Sequence, residues 1–155
     1  MYKDSVEGTV PRKKIRIRNY NNYPVFDLKN NRLELKISSA EGRYKKTKPT
    51  GNINLFNFKI NDIAYGSCFP VICVTYKRIY YSVKKIRLTI DRNIVYRRVK
   101  FGKISSFLQV EPYSVIEIKY QNFELDNLIK SFPFHFVRFS KYSRAIEFKN
   151  KKYGY

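Results

Sequence analysis

Acidic residues are scarce in this chain. Twelve Asp and Glu stand against 32 Lys and Arg, a formal charge of +20 over 155 residues. That excess is too large for ordinary solubility, and a field of that sign draws in polyanions: nucleic acid, anionic lipid, nucleotides or polyphosphate. Charge alone does not choose among them. Histidine occurs once and cysteine twice, with Cys68 and Cys73 inside one apolar run. A single pair at that spacing makes a poor zinc site, and two buried thiols in a reducing compartment is the plain reading. The chain opens MYKDSVEG, which has no apolar stretch of the kind a secretory signal needs. The longest apolar run, CFPVICV from Cys68 to Val74, falls far short of the about 20 residues that span a bilayer. A soluble, cytoplasmic protein without a transmembrane segment is expected.

Tryptophan is absent, yet aromatics make up 17% of the chain as Tyr and Phe, a choice that suits strands better than helices. A hydrophobic fraction of 43% argues against wholesale disorder, and the length fits one domain with a modest core. No internal repeat or domain boundary interrupts it. A single domain over residues 1–149 with a frayed basic tail at 150–155 is expected.

Alternation dominates what is there. RKKIRIRNY, Arg12 to Tyr20, has five cations in its first seven residues, and Lys14, Arg16 and Arg18 alternate with isoleucine. Successive strand side chains point to opposite sides, so these three share a face. Neighbours on such a row lie roughly 7 Å apart and repel unless an anion or carboxylate lies between them. Strands are read at Lys13–Tyr20, Arg32–Ser38, Val71–Tyr80, along KKIRLTIDRNIVYRRV and along SVIEIKYQ, with a turn at NYNNYP, a hairpin turn near Glu41-Gly42 and a loop at Pro49–Asn52. One helix is expected, ELDNLIKSF, with Leu125, Leu128, Ile129 and Phe132 at helical spacing. RFSKYSRAIEF is read as the last ordered stretch.

Two further strands carry Glu-x-Lys: Glu34-Leu35-Lys36 and Glu117-Ile118-Lys119. A carboxylate beside a cation row suits a phosphate site that shares a divalent metal. For passive nucleic-acid binding the glutamates would repel the backbone, and no aromatic-rich RNA-binding strand motif is present. An ordinary half-buried sheet also gives apolar-in, polar-out alternation. Glu34 equally suits a surface salt bridge with Lys36 or Arg16, worth little in energy. Lys45, Lys46 and Lys48 read as a solvated hairpin, Tyr76, Tyr80 and Tyr81 as packing aromatics, and His135 as structural. If the sheet closes with its ionic face inward, the arginines line a tunnel for a polyphosphate chain.

In order along the chain, RKKIRIRNY, LELKISSAEGRYKKTK, VTYKRIYY, IRLTIDRNIVYR, VIEIKY and VRFSKYSRAI resemble the motifs of the polyphosphate polymerase, or vacuolar transporter chaperone (VTC), domain family, within the triphosphate tunnel (CYTH-like) superfamily. The resemblance implies an α+β fold, mainly antiparallel β: a partial triphosphate tunnel β-barrel with few helices. It implies transfer of the terminal phosphate of a nucleoside triphosphate to a polyphosphate chain, with Mn²⁺ or Mg²⁺. Arg16, Arg18, Lys36, Arg78 and Arg87 would act on the substrate phosphates. Lys14, Arg138 and Lys141 would bind phosphate, and Glu117 would hold the metal. The family's domain usually begins with a strand and helices before the segment matching YKDSVEG. A missing N-terminal segment or a partner chain is therefore expected to complete the barrel. Two alternatives share the lining chemistry: a triphosphate hydrolase, and a non-catalytic or truncated polyphosphate- or nucleotide-binding module. No specific nucleic acid is expected as partner.

Overall fold

A computed structural model describes residues 1–20, 30–83, 86–120, 133 and 135–151. The period-2 pattern of the basic segment becomes β1 (Arg12–Arg18), which pairs antiparallel with β2 (Asn31–Ser39). A tight turn at Ala40-Glu41 then leads into β3 (Gly42–Gly51), so the first sheet runs β1-β2-β3. The loop expected at Pro49–Asn52 is instead strand as far as Gly51. Pro49 is tolerated there because β3 pairs only with β2, and an edge strand can spare an N–H.

A two-strand ribbon, β4 (Ile60–Asp62) and β5 (Gly66–Cys68), links to the second sheet. There β6 (Ile72–Val83) pairs with the long β7 (Ile86–Lys100). The other edge of β7 is shared by β8 (Lys103–Val110) and β9 (Val115–Lys119). The sequence KISSFLQV lacks strict alternation, and β8 was not expected for that reason. All observed pairings are antiparallel, as the resemblance implied; among the described residues the two sheets do not join into a closed barrel.

Two helices are described, α1 (Tyr2–Glu7) and α2 (Lys141–Lys151). The helix expected at ELDNLIKSF lies outside the described residues. α2 was read only as ordered chain; it starts because Ser140 caps it, accepting the Ser143 N–H on its hydroxyl (3.4 Å) and the Arg144 N–H on its carbonyl (3.0 Å). It runs through to Lys151, into the stretch read as a frayed tail. Cys68 and Cys73 are free thiols. No helix among the described residues is long and apolar enough to cross a membrane.

The core sits between α2 and the second sheet. Ile94, Tyr96 and Ala145 are buried, with Ile72, Val74, Tyr76, Val115 and Phe148 packed around them. A fully buried isoleucine such as Ile94 contributes about 1.5–3 kcal/mol by leaving water. The arrangement depends on a β-bulge. Opposite Thr75 and Lys77 stand Val95 and Arg92, so β7 carries one extra residue there, and Asn93 takes φ 52. The extra residue swaps the faces of β7. Arg87, Thr89 and Asp91 before it share a side with Ile94 and Tyr96 after it. One continuous surface is thus ionic at one end and apolar, under α2, at the other.

The turn between β7 and β8 is held closely. Gly102 has φ 71, and a Cβ on it would lie 2.1 Å from the Cα of Phe56. The segment after β3 therefore packs directly on that turn.

Candidate functional site

The first sheet places three lysines in line. Lys14 lies opposite Lys36, and Lys36 opposite Lys45, on neighbouring strands about 4.8 Å apart. Like charges directly opposed in this way are destabilising. Further along the same face Arg18 stands opposite Arg32, and between the two rows Arg16 lies opposite Glu34. Glu34 is 2% exposed, so it is no surface salt-bridge partner. Its Oε2 accepts from Arg16 Nε at 2.5 Å, while Lys45 Nζ and Arg18 NH1 lie 3.0 and 3.5 Å from Oε1. Burial opposes ionisation of Glu34, yet the hydrogen bonds from Lys45 and Arg16 outweigh it and hold the carboxyl below its ordinary value. Lys45, read as part of a solvated hairpin, is thus a partner in this cluster.

The second sheet answers with a carboxylate of its own. Asp91 is fully buried and takes Arg78 in a two-pronged contact, Nε to Oδ1 at 2.5 Å and NH2 to Oδ2 at 2.6 Å. Lys141, in the first turn of α2, brings Nζ to 2.5 Å from Oδ2. Burial pushes the Asp91 carboxyl up, but these two cations together hold it below the usual range. Arg78 is held still more firmly protonated by Asp91. The Tyr76 ring lies 5.1 Å from the Arg78 guanidinium and 5.0 Å from Lys141 Nζ, within cation–π range of both. Tyr76 also bears on Arg18 of the first sheet: burial works against the Arg18 charge, and Tyr76 and Glu34 favour it. Tyr76 therefore holds Arg78 and Lys141 over its ring, a role beyond that of a packing aromatic.

Other contacts cross the same gap. Lys36 is depressed chiefly by burial, then by Arg16 and by Lys119 of the opposite sheet, while Glu34 and Glu117 act the other way. Lys14 is depressed by burial and then by Arg12, Arg138 and Arg16, and its Nζ donates to Ser140 Oγ at 3.4 Å. Glu117 is half-exposed, 3.4 Å from Lys119 and 3.8 Å from Arg78. Among the described residues the register and the Lys141 contact place at least twelve cations on the facing surfaces, eight of them on the first sheet, against the three carboxylates Glu34, Asp91 and Glu117. A cleft so unbalanced takes up an anion of several charges.

Of the residues singled out from sequence, Lys14, Arg16, Arg18, Lys36, Arg78, Glu117 and Lys141 converge on this cleft. Arg87 faces the same side, opposite Lys119, but is exposed and makes no ion pair among the described residues. Arg138 is exposed and donates to the Ser5 carbonyl of α1 at 2.7 Å, turned in part toward the N-terminal helix. Asp91 and Tyr76 were missed as site residues. Asp91 was legible in principle, because counting back from the β6–β7 turn sets it opposite Arg78.

A family model, VTC domain, matches residues 52–149. The chain belongs to the VTC domain family. No curated protein and no solved structure matches it. The family associates the chain with polyphosphate. The matched stretch holds the second sheet and most of α2, with Tyr76, Arg78, Asp91, Glu117 and Lys141 among its residues. The β1–β3 sheet precedes the match, so Arg16, Arg18 and Lys36 lie outside it, on the sheet across the cleft.

Proposed function

We propose that this VTC domain transfers the terminal phosphate of a nucleoside triphosphate to a polyphosphate chain held in the cleft between its two sheets. The observation that carries the reading is the convergence on the cleft: Tyr76, Arg78 and Lys141 gather on Asp91, and Lys14, opposite Lys36 on the first sheet, reaches Ser140 at the start of the same helix as Lys141. In the transfer, an oxygen at the end of the polyphosphate attacks the terminal phosphorus, the bond to the bridging oxygen breaks, and the nucleoside diphosphate leaves. Little covalent work falls to the protein in such a step; it positions donor and acceptor and neutralises charge. Lys14, Arg16, Arg18 and Lys36 hold the phosphates on the first sheet. Arg78 and Lys141, fixed by Asp91, face them from the second.

The donor set fits a metal only in one place. Among the described residues no group of three or more His, Cys, Asp or Glu converges. Glu34 and Asp91 are each taken up by cations, whereas Glu117 keeps nearly half its side chain open. Glu117 would hold Mn²⁺ or Mg²⁺ jointly with substrate oxygens, since such ions are commonly bound through one or two carboxylates plus phosphates. The bound ion would withdraw charge from the phosphoryl group. Arg87 and Arg138, with no anion-like partner here, extend the basic lining at its margins.

Incubation of the purified chain with ATP and Mn²⁺, with products resolved on a gel stained for polyphosphate, tests the reading. A ladder that disappears in an Arg16→Ala/Glu117→Ala variant is the expected result. A ladder unchanged in that variant overturns the site. A second reading, binding of polyphosphate or nucleotide without turnover, is favoured by the unjoined sheets among the described residues, which a partner chain would close. Tripolyphosphate binding that depends on Arg16, with no ladder and no released phosphate, selects it. Released phosphate without a ladder indicates a hydrolase.

A further inference from the structure

We propose that Tyr20 is a stacking platform for the base of the nucleotide, an inference that rests on the phosphate-binding reading of the cleft. Tyr20 lies two residues beyond the end of β1, on the same side in the alternation as Lys14, Arg16 and Arg18. Its hydroxyl accepts from Arg18 NH1 at 2.7 Å. The Arg18 guanidinium lies 5.1 Å from its ring centroid, and that of Arg32 lies 6.0 Å away. Arg18 and Arg32 are themselves a register pair across β1 and β2. The ring is therefore oriented by two cations of the phosphate surface, yet remains 62% exposed.

Exposed tyrosines are common and need no explanation when scattered singly. This one differs in being pinned by the residues that would bind phosphate. Base faces stack on aromatic rings and on guanidinium planes alike, and such stacking is tolerant of base identity. The length also matches. Arg16 to Tyr20 is four residues of extended chain, about 13 Å at ~3.3 Å per residue. An extended nucleoside triphosphate covers a comparable span between its terminal phosphate and its base. With the terminal phosphate at Arg16 and Arg78, the base reaches Tyr20.

The subsite separates nucleotide from inorganic ligand, and that is its test. Calorimetric titration of the full chain with ATP and, separately, with tripolyphosphate compares wild type, Tyr20→Ala, Tyr20→Phe and Tyr80→Ala. Tyr80 is the control because it is likewise exposed and lies near Arg78. In Tyr20→Ala, ATP affinity is expected to fall roughly tenfold, the size of one lost base stack, with tripolyphosphate affinity unchanged. Tyr20→Phe keeps the ring face and most of the ATP affinity. Equal losses for both ligands would show that Tyr20 acts only by steadying Arg18, and would overturn the platform. So would an ATP-specific loss in Tyr80→Ala without one in Tyr20→Ala. A wild-type chain that binds neither ligand overturns the phosphate reading itself, and this inference with it.

Discussion

The two sheets of this protein handle charge in opposite ways. On the second sheet most cations facing the cleft have a carboxylate: Asp91 takes Arg78 and Lys141, Glu117 stands between Arg78 and Lys119, and Arg87 makes no ion pair among the described residues. That sheet also carries the apolar core under α2. On the first sheet, eight cations share one face with a single carboxylate, Glu34. Its fully buried residues, Asn31 and Glu34, are polar. One sheet is a scaffold that stands without a ligand. The other is built with a deficit of negative charge that an anion fills.

Breaking the scaffold has the largest expected effect. Asp91→Ala strands Arg78 and Lys141, both largely buried, and should cost about 3–5 kcal/mol in urea unfolding. A loss under about 1 kcal/mol would mean that the second sheet is no better neutralised than the first. Next comes the ligand. Tripolyphosphate at 100 times its dissociation constant should add about 2.7 kcal/mol of stability. Hydrogen exchange should place most of the new protection in β1–β3; an equal gain in β6–β9 would erase the contrast.

Smaller still is Glu34→Gln. Arg16 and Lys45 are nearly half exposed and can turn to water, so stability should fall by only about 1 kcal/mol. Tripolyphosphate affinity should rise, because its cations no longer have an internal competitor; a fall in affinity would show that Glu34 positions them instead. The mildest lever is pH. Glu34 and Asp91 both have lowered carboxyl pKa values in the fold. The stability they confer is present above their unfolded values of 4.5 and 3.8 and is lost as pH falls through the lowered ones. Circular dichroism followed from pH 7 downward should show acid loss beginning below about pH 4.5, with a shallower slope in Asp91→Asn.

Much of the first sheet was legible because its pattern is local. Alternation in RKKIRIR and RLELKIS places the isoleucines and leucines on one face and the cations on the other, whatever the rest of the chain does. The second sheet was harder. β7 after Asn93 reads IVYRRV, where the bulge breaks the alternation, and the face that carries Ile94 and Tyr96 cannot be assigned without it. α2 was hidden because Tyr142, Ala145 and Ile146 are interleaved with Lys141 and Arg144. The burial of Glu34 was not legible, since its partners Arg16 and Arg18 stand on one flanking strand and Lys45 on the other.

By itself the sequence determined the excess of positive charge, the strands and the sharing of one face by Lys14, Arg16 and Arg18, because these follow from composition and from the two-residue period of a strand. Only the tertiary structure decided that Lys141 reaches Asp91 and the Tyr76 ring and that Lys14 reaches Ser140. Those meetings join residues far apart in the chain, and they depend on a one-residue bulge and on the packing of α2, which no local pattern encodes.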